Sequence, residues 1–389
     1  MAGHSTPVYQ FGSLLTFLIP REYRPVTARV TIDDLRRFTV ARSLFTPTTL
    51  PRALNTLGFV QADPIRAPAR AQDLTLRHRV KGYRAGDLER RYATLDVHED
   101  FFVNYGFVTG AVQVLMHPRG GATPWPAARG RYVRLLLDFV RARGTVHPRD
   151  VDEHFSHGTV TNYWGGSSNA TTHLLDAMHY RGLLRVVGRE AGIRLYAAHE
   201  HAPGPRDAAA RRAQLDALAD VIVRKYAPLP AASLSSLLRR LRLAVPQWQG
   251  DIARTVQRAK GRLTRARVDG VDWYWPTDEP LVAPDPPDAV RLLAPFDPVV
   301  WDRRRFEILW GWAYRFEAYT PASKRTRGYY ALPLLWRDHV IGWGNLSVKD
   351  GRLQSDIGYV PPWPAKRRLF RRELDEELDR LRLFLGLDG

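Results

Sequence analysis

A helix, helix, hairpin order that recurs along the chain, and a change to strand-like texture beyond a proline-rich stretch, predict an α+β fold. The expected architecture is a series of tandem winged-helix (helix-turn-helix) units with a C-terminal antiparallel β-rich domain. Residues 1–28 carry Pro7, Pro20 and Pro25 without sustained periodicity and read as an unmatched N-terminal extension. Thr31 then reads as the cap of a helix with Asp33 and Asp34 in its first turn and Leu35, Phe38, Ala41 and Phe45 on its apolar face. Leu50, Leu54 and Leu57 mark a second helix, with Gly58 as its stop. The run Phe59-Val60-Gln61-Ala62-Asp63 alternates as a short strand ended by Pro64, and these elements define a first unit over residues 29–130.

Residues 131–202 form the second unit. Gly144 to Phe155 and Ser168 to Tyr180 read as helices, and Leu184–Val187 and Ile193–Tyr196 flank the turn Gly188 to Gly192. In the third, over 203–288, a linker helix from Arg206 to Tyr226 leads to helices at Leu234–Leu241 and Asp251–Lys260. Leu263–Val268 and Val271–Trp275 then pair across Asp269-Gly270, a strong hairpin signal. Pro276, Pro280, Pro284, Pro286 and Pro287 mark the boundary to the last region, 289–389. There Gly328–Trp336, His339–Ser347 and Arg352–Val360 suggest a meander. A terminal helix follows, with Phe370, Leu374, Leu378, Leu381 and Leu385 on one face.

Composition narrows the function. The 389 residues carry 58 Lys+Arg against 40 Asp+Glu, a net charge of +18, which makes a polyanion the default partner. With 44% hydrophobic residues, 11 Trp, 16 Tyr and 15 Phe, the chain is not a disordered basic tail. Cysteine is absent, so no disulfide, thiolate nucleophile or Cys-based zinc site exists. The apolar run Leu14–Ile19 is too short to span a bilayer, and a cytoplasmic or nucleoid-associated protein is expected. His147, His154, His157, His173 and His179 lack a metal-site spacing and read as solvated, so neither metal nor cofactor is expected. Trp301, Trp310 and Trp312 read as core residues.

The candidate chemistry lies at Gln61 and Asp63. One residue apart on a strand, they are expected on one face, an amide beside a carboxylate. Such a pair suits hydrolysis through a cationic transition state, the carboxylate stabilising a positive sugar and the amide orienting water. A solvated strand end is the competing reading of the motif taken alone.

Leu57-Gly58-Phe59-Val60-Gln61-Ala62-Asp63-Pro64-Ile65 followed by Arg70-Ala71-Gln72 resembles the Gln-apolar-Asp signature of the crosslink-repair DNA glycosylases of the YcaQ type (AlkX), within a winged-helix AlkZ-like superfamily. A longer block resembles the same family: Pro295-Phe296-Asp297-Pro298 through Arg305, Tyr314-Arg315-Phe316-Glu317-Ala318-Tyr319 through Arg325, and Gly328-Tyr329-Tyr330 through Leu335. The resemblance implies hydrolysis of the N-glycosidic bond of N7-alkylated purines in double-stranded DNA, including unhooking of interstrand crosslinks. It places the catalytic pair on Gln61 and Asp63 and matches His98-Glu99 to a family His-Glu pair, although Leu95 and Asp96 replace the aromatic pair before it. The family's Gly-Arg-X-Asp-X-Lys strand reads Gly342-Trp343-Gly344-Asn345-Leu346-Ser347, and Thr171 or Thr172 replaces a basic recognition-helix residue.

Along the chain the nearest basic residue to the motif is Arg66, not a lysine, so a monofunctional glycosylase that leaves an abasic site is expected. Arg70, His98, Arg185, Arg189, Arg194, Arg303, Arg304, Arg305, Lys324 and Arg325 are the candidate DNA contacts, with Lys366, Arg367, Arg368, Arg371 and Arg372 adding to a C-terminal basic surface. A monomer suffices for a single lesion. A non-catalytic winged-helix regulator is the alternative reading. Because phosphate contacts release counterions, duplex affinity is expected to fall steeply between low and physiological salt in a filter-binding titration; a flat response means that the basic surface is incidental.

Overall fold

The computed structural model describes residues 30–119, 125–155, 159–161, 167–282, 284–361 and 368–387. The expected extension 1–28, His157, Lys366 and Arg367 lie outside the described residues. α1 (Ile32–Ser43) begins at the expected cap. The Thr31 hydroxyl accepts the Asp34 N–H at 3.2 Å, and the Asp34 carboxylate accepts the Thr31 N–H at 2.9 Å, satisfying two otherwise orphaned donors. α2 (Leu50–Leu57) closes on Gly58 at φ +63°, a left-handed conformation that glycine adopts without steric cost. β1 (Phe59–Gln61), α3 (Ala71–Leu76), α4 (Asp87–Arg90), β2 (Val97–Phe101), β3 (Tyr105–Thr109) and α5 (Gly110–Met116) follow. The strands form an antiparallel sheet in the order β1-β3-β2.

The next stretch runs α6 (Ala127–Arg143), β4 (Thr145–Val146), α7 (Pro148–Phe155), β5 (Thr159–Thr161), β6 (Ser167–Asn169), α8 (Ala170–Tyr180), β7 (Leu184–Glu190) and β8 (Ile193–Ala198). The helix expected from Gly144 starts only at Pro148, because Thr145 and Val146 pair with β8 in the sheet β4-β8-β7. The same order returns with α9 (Ala208–Tyr226), β9 (Leu229–Pro230), α10 (Ala231–Arg239), α11 (Leu241–Ala244), α12 (Ile252–Arg262), β10 (Thr264–Val268) and β11 (Val271–Trp275). Asp269 and Gly270 both have positive φ, as the expected two-residue hairpin requires.

β12 (Val290–Leu292) and α13 (Arg303–Trp310) precede β13 (Leu332–Trp336), β14 (His339–Lys349), β15 (Arg352–Tyr359) and α14 (Arg368–Leu385). The four strands form a C-terminal antiparallel sheet in chain order, and the first of its expected strands begins at Leu332 rather than Gly328. α14 buries Phe370, Glu373, Glu377, Leu381 and Phe384, while the expected Leu374, Leu378 and Leu385 pack only at the edge of the core. Glu377 displaces them because it accepts the Leu292 N–H at 2.8 Å and pairs with Arg77 and Arg380.

Two shared cores join these parts. Phe38, Phe59 and Phe102 pack with Leu218, Trp273 and Trp275, and Leu54, Val60 and Phe107 pack with Leu292, Leu334 and Phe370. A third core, including Leu136, Val140, Leu175 and Tyr196, lies entirely within residues 125–198.

A wholly buried ion pair joins the segment after α3 to the C-terminal region. Arg79 Nη1 donates to Asp297 Oδ2 at 2.7 Å and Nη2 to Oδ1 at 3.0 Å; the Ser43 and Thr75 carbonyls accept one further proton each, from Nε and Nη1. Removing one member leaves the other charged and desolvated. Asp297→Ala is therefore expected to cost about 3–5 kcal/mol in urea denaturation, and the Arg79→Met/Asp297→Leu double variant to recover most of that loss.

Candidate active site

Gln61 is the last residue of β1 and stands opposite Gly106 in β3. A Cβ added to Gly106 lies 2.3 Å from the Val60 carbonyl oxygen and 2.8 Å from the Gln61 Cα, so this close strand approach demands glycine. The Gln61 Oε1 accepts the Trp301 indole N–H at 2.7 Å. An indole nitrogen can only donate, which fixes the orientation of the amide and leaves its NH2 group as the donor facing elsewhere. Trp301 is thus a site residue, whereas Trp310 and Trp312 pack as expected and donate to the Asp338 and Val340 carbonyls.

Asp63 lies beyond the end of β1, so strand alternation does not set its direction. Instead the Asp63 N–H donates to Gln72 Oε1 at 3.3 Å, and Asp63 Oδ1 accepts the Ile65 N–H at 2.9 Å. Gln61 and Asp63 are only 5% and 8% exposed, which is not the solvated strand end of the competing reading. Burial pushes the Asp63 carboxyl above its ordinary range, against the opposing Ile65 hydrogen bond. Its charge is felt by Tyr319 and Tyr330, whose phenols are raised first by burial and then by Asp63. Tyr319 is 73% exposed, while Tyr330 is buried and its hydroxyl meets no hydrogen-bond partner among the described residues. Both come from the segment between α13 and β13, about 260 residues downstream of Asp63 in sequence. No local periodicity singles them out; only the long C-terminal block of resemblance contains them.

Lys225 is a basic group that chain proximity did not reveal. Its Nζ donates to the Phe59 carbonyl, and burial lowers its amine from 10.5 to about 7. At 4% exposure it is enclosed beneath the strand rather than presented at its surface.

The basic candidates divide sharply. Arg305 is wholly buried and donates to the Tyr226, Pro298 and Val299 carbonyls, which corrects its reading as a DNA contact. Arg303 is also turned inward, donating to the Val300 carbonyl at 2.5 Å and lying 4.5 Å from the Tyr314 ring centre. Successive residues on α13 point in different directions, so only Arg304 of the three faces solvent. Lys324 is exposed, and Arg325 donates to the Thr320 carbonyl at 2.8 Å. Arg185 is exposed on β7.

By contrast, Arg189 forks onto Glu99 at 3.1 and 2.6 Å, and Arg194 binds Asp176 at 2.9 Å and reaches Glu99 at 3.5 Å. Glu99 is 3% exposed and also accepts the Tyr105 hydroxyl at 2.8 Å. These two arginines therefore dock the β7–β8 hairpin onto β2, and their reading as free phosphate contacts is corrected. Arg70 is likewise paired, with Glu89.

His98 stacks on His199 with ring centres 6.1 Å apart, and burial lowers its pKa. His179 is buried against the Leu184 carbonyl rather than solvated. Among the described residues, no group of three His, Asp or Glu side chains is arranged to hold a metal ion. At the departure from the family strand, the Asn345 amide donates to the Arg327 carbonyl at 2.7 Å. Adding a methyl group at Gly106 must splay β1 from β3; Gly106→Ala is expected to lower stability by about 1–3 kcal/mol in urea denaturation.

Two comparisons with known proteins bear on this geometry. The family model described as "DNA glycosylase AlkZ-like" matches residues 54–384. The solved structure of Streptomyces sahachiroi DNA glycosylase AlkZ superposes with a TM-score of 0.57 at 16% identity, covering 92% of this chain and 98% of that one. The structural likeness shows a shared fold, and the family match spans the motif, the sheets and α13: the chain belongs to the AlkZ-like DNA glycosylase family.

Proposed function

We propose that this glycosylase hydrolyses the N-glycosidic bond of N7-alkylated purines in double-stranded DNA, with Asp63 as the catalytic carboxylate and Gln61 as its water-positioning partner. The observation that carries the reading is the burial of both members of the motif: a nearly enclosed carboxylate two residues along the chain from an amide whose donor face is oriented by Trp301. The repeated helix, strand, helix, helix, hairpin order supports tandem winged-helix units as the DNA-binding frame. Of the contacts expected from sequence, Arg185, Arg304 and Lys324 are exposed and available to phosphates.

The chemistry follows from the substrate's charge. Alkylation at N7 makes the purine cationic, so when the C1′–N9 bond breaks its electron pair neutralises the ring and the base leaves without a protein acid. The sugar left behind is oxocarbenium-like. An ionised Asp63 stabilises it electrostatically, and the low water content of the site strengthens that effect. The Gln61 NH2 donates to the oxygen of the attacking water, which leaves a lone pair for C1′ while Asp63 accepts the released proton. The enclosed Lys225 amine, already engaged with the Phe59 carbonyl, supports a monofunctional enzyme that leaves an abasic site. A purine crosslinked through N7 breaks at the same bond, so unhooking requires no further chemistry.

Release of 7-methylguanine from a methylated duplex in single turnover tests the reading. Asp63→Asn is expected to slow release by about 10²-fold or more. Its stability should equal or exceed wild type at neutral pH. With the folded carboxyl pKa raised, the unfolded chain ionises first, so stability declines as pH rises through that window, and the uncharged amide avoids the penalty. Activity of the wild type should fall as pH is lowered through the Asp63 pKa, with its midpoint above the ordinary 3.8. A scaffold that only binds DNA would tolerate Asp63→Asn unchanged. Trp301→Phe and Gln61→Ala should slow release by similar factors, and the double variant by little more, because the indole acts through the amide.

A further inference from the structure

A crevice of about 530 Å³ opens where the segment after α3 meets β12 and the end of α14. Arg77, Arg84, Arg291 and Arg380 line it together with the stacked rings of Tyr83 and Phe384, and no acidic side chain reaches its wall. The counter-charge lies beneath. Buried Glu377 serves both Arg77 and Arg380, and the partly exposed Glu376 approaches Arg380 at 3.7 Å. Arg84 Nη1 donates to the Leu383 carbonyl at 3.0 Å.

Arg291 is left over. Its Nη1 is shielded from solvent and meets no acceptor among the described residues. Burial, offset in part by Glu377, depresses its pKa, and the neighbouring Arg380, Arg79 and Arg77 depress it further. An arginine nevertheless remains protonated at physiological pH. A partly exposed guanidinium with a shielded, unsatisfied Nη1, in the wall of a crevice shared with three more guanidiniums, is favoured by an anion that completes it. The planar fork of arginine matches tetrahedral oxyanions with parallel N–H···O bonds, and a multiply charged one best balances several forks.

We propose that this crevice is a binding site for a phosphate-class oxyanion, held by Arg291 with Arg77, Arg84 and Arg380. The source is either a backbone phosphate of bound DNA or a free phosphate compound, and the two separate experimentally. The site belongs to the interface of α14 with the first sheet's surroundings and involves neither Gln61 nor Asp63.

The test uses the full chain, with inorganic pyrophosphate as probe and chloride at equal ionic strength as control. ³¹P line broadening and the melting temperature are read for wild type, Arg291→Gln and Arg291→Lys. The salt dependence of binding to an undamaged duplex is read for the same three proteins. If the source is free phosphate, pyrophosphate broadens and raises the melting temperature of wild type, and Arg291→Gln weakens its binding at least tenfold. If it is DNA, the slope of log affinity against log salt becomes shallower by about one in Arg291→Gln, with pyrophosphate competing for duplex. Arg291→Lys keeps the charge but loses the fork, so it should bind pyrophosphate more weakly than wild type even if the Gln variant does not fold. Absence of broadening and of any melting shift in wild type, together with equal salt slopes in wild type and a folded Arg291 variant, overturns the proposal.

Discussion

The Arg79–Asp297 fork is the joint on which the site depends. It brings residues separated by 218 positions into one buried bidentate contact. The same aspartate organises the turn that follows: its Oδ1 accepts the Val299 N–H, and its main-chain carbonyl accepts those of Val300 and Trp301. Trp301 leaves this turn and reaches Gln61. One ion pair thus couples the C-terminal region to β1, and the orientation of the Gln61 amide is a consequence of that coupling. A hydrophobic replacement could hold these regions together as firmly and would keep the main-chain bonds of the turn, but it would lose the Oδ1 bond to the Val299 N–H.

The surroundings of β1 show what a buried carboxylate costs and how the fold carries it. Lys225 supports the strand from below through the Phe59 carbonyl, and Gly106 lets β3 approach closely enough to pair with Gln61. Asp63, just beyond, receives one backbone hydrogen bond and little water. Such an environment disfavours its charged form, and that charged form is the one the proposed reaction uses. A larger stabilising network around the carboxylate would secure its ionisation at the expense of its attraction for a developing sugar cation.

Much of the excess positive charge is structural. Arg189 and Arg194 converge on Glu99 to hold residues 125–198, which have a core of their own, against β2. Arg305 satisfies the Pro298 and Val299 carbonyls of its own region and the Tyr226 carbonyl at the end of α9. Arginine suits both tasks because its five donors can saturate several acceptors from one side chain. A net charge of +18 therefore overstates the surface offered to DNA, and individual arginines must be located before they are assigned to phosphates.

Local sequence suffices for the elements whose causes are local: the Thr31 cap, the Gly58 stop and the Asp269-Gly270 hairpin. Each depends on backbone preferences or side chains within a few residues, so spacing alone reveals it. It also made Gln61 and Asp63 visible as a pair, through their own spacing and the family resemblance. Long-range packing sets the rest: Trp301 orients Gln61, Tyr319 and Tyr330 stand near Asp63, Lys225 lies under β1, and Glu377 rather than Leu374 or Leu378 enters the core. These outcomes rest on contacts made across more than a hundred residues in most cases. There the cost of burying an unpaired polar group selects partners that no periodic pattern encodes.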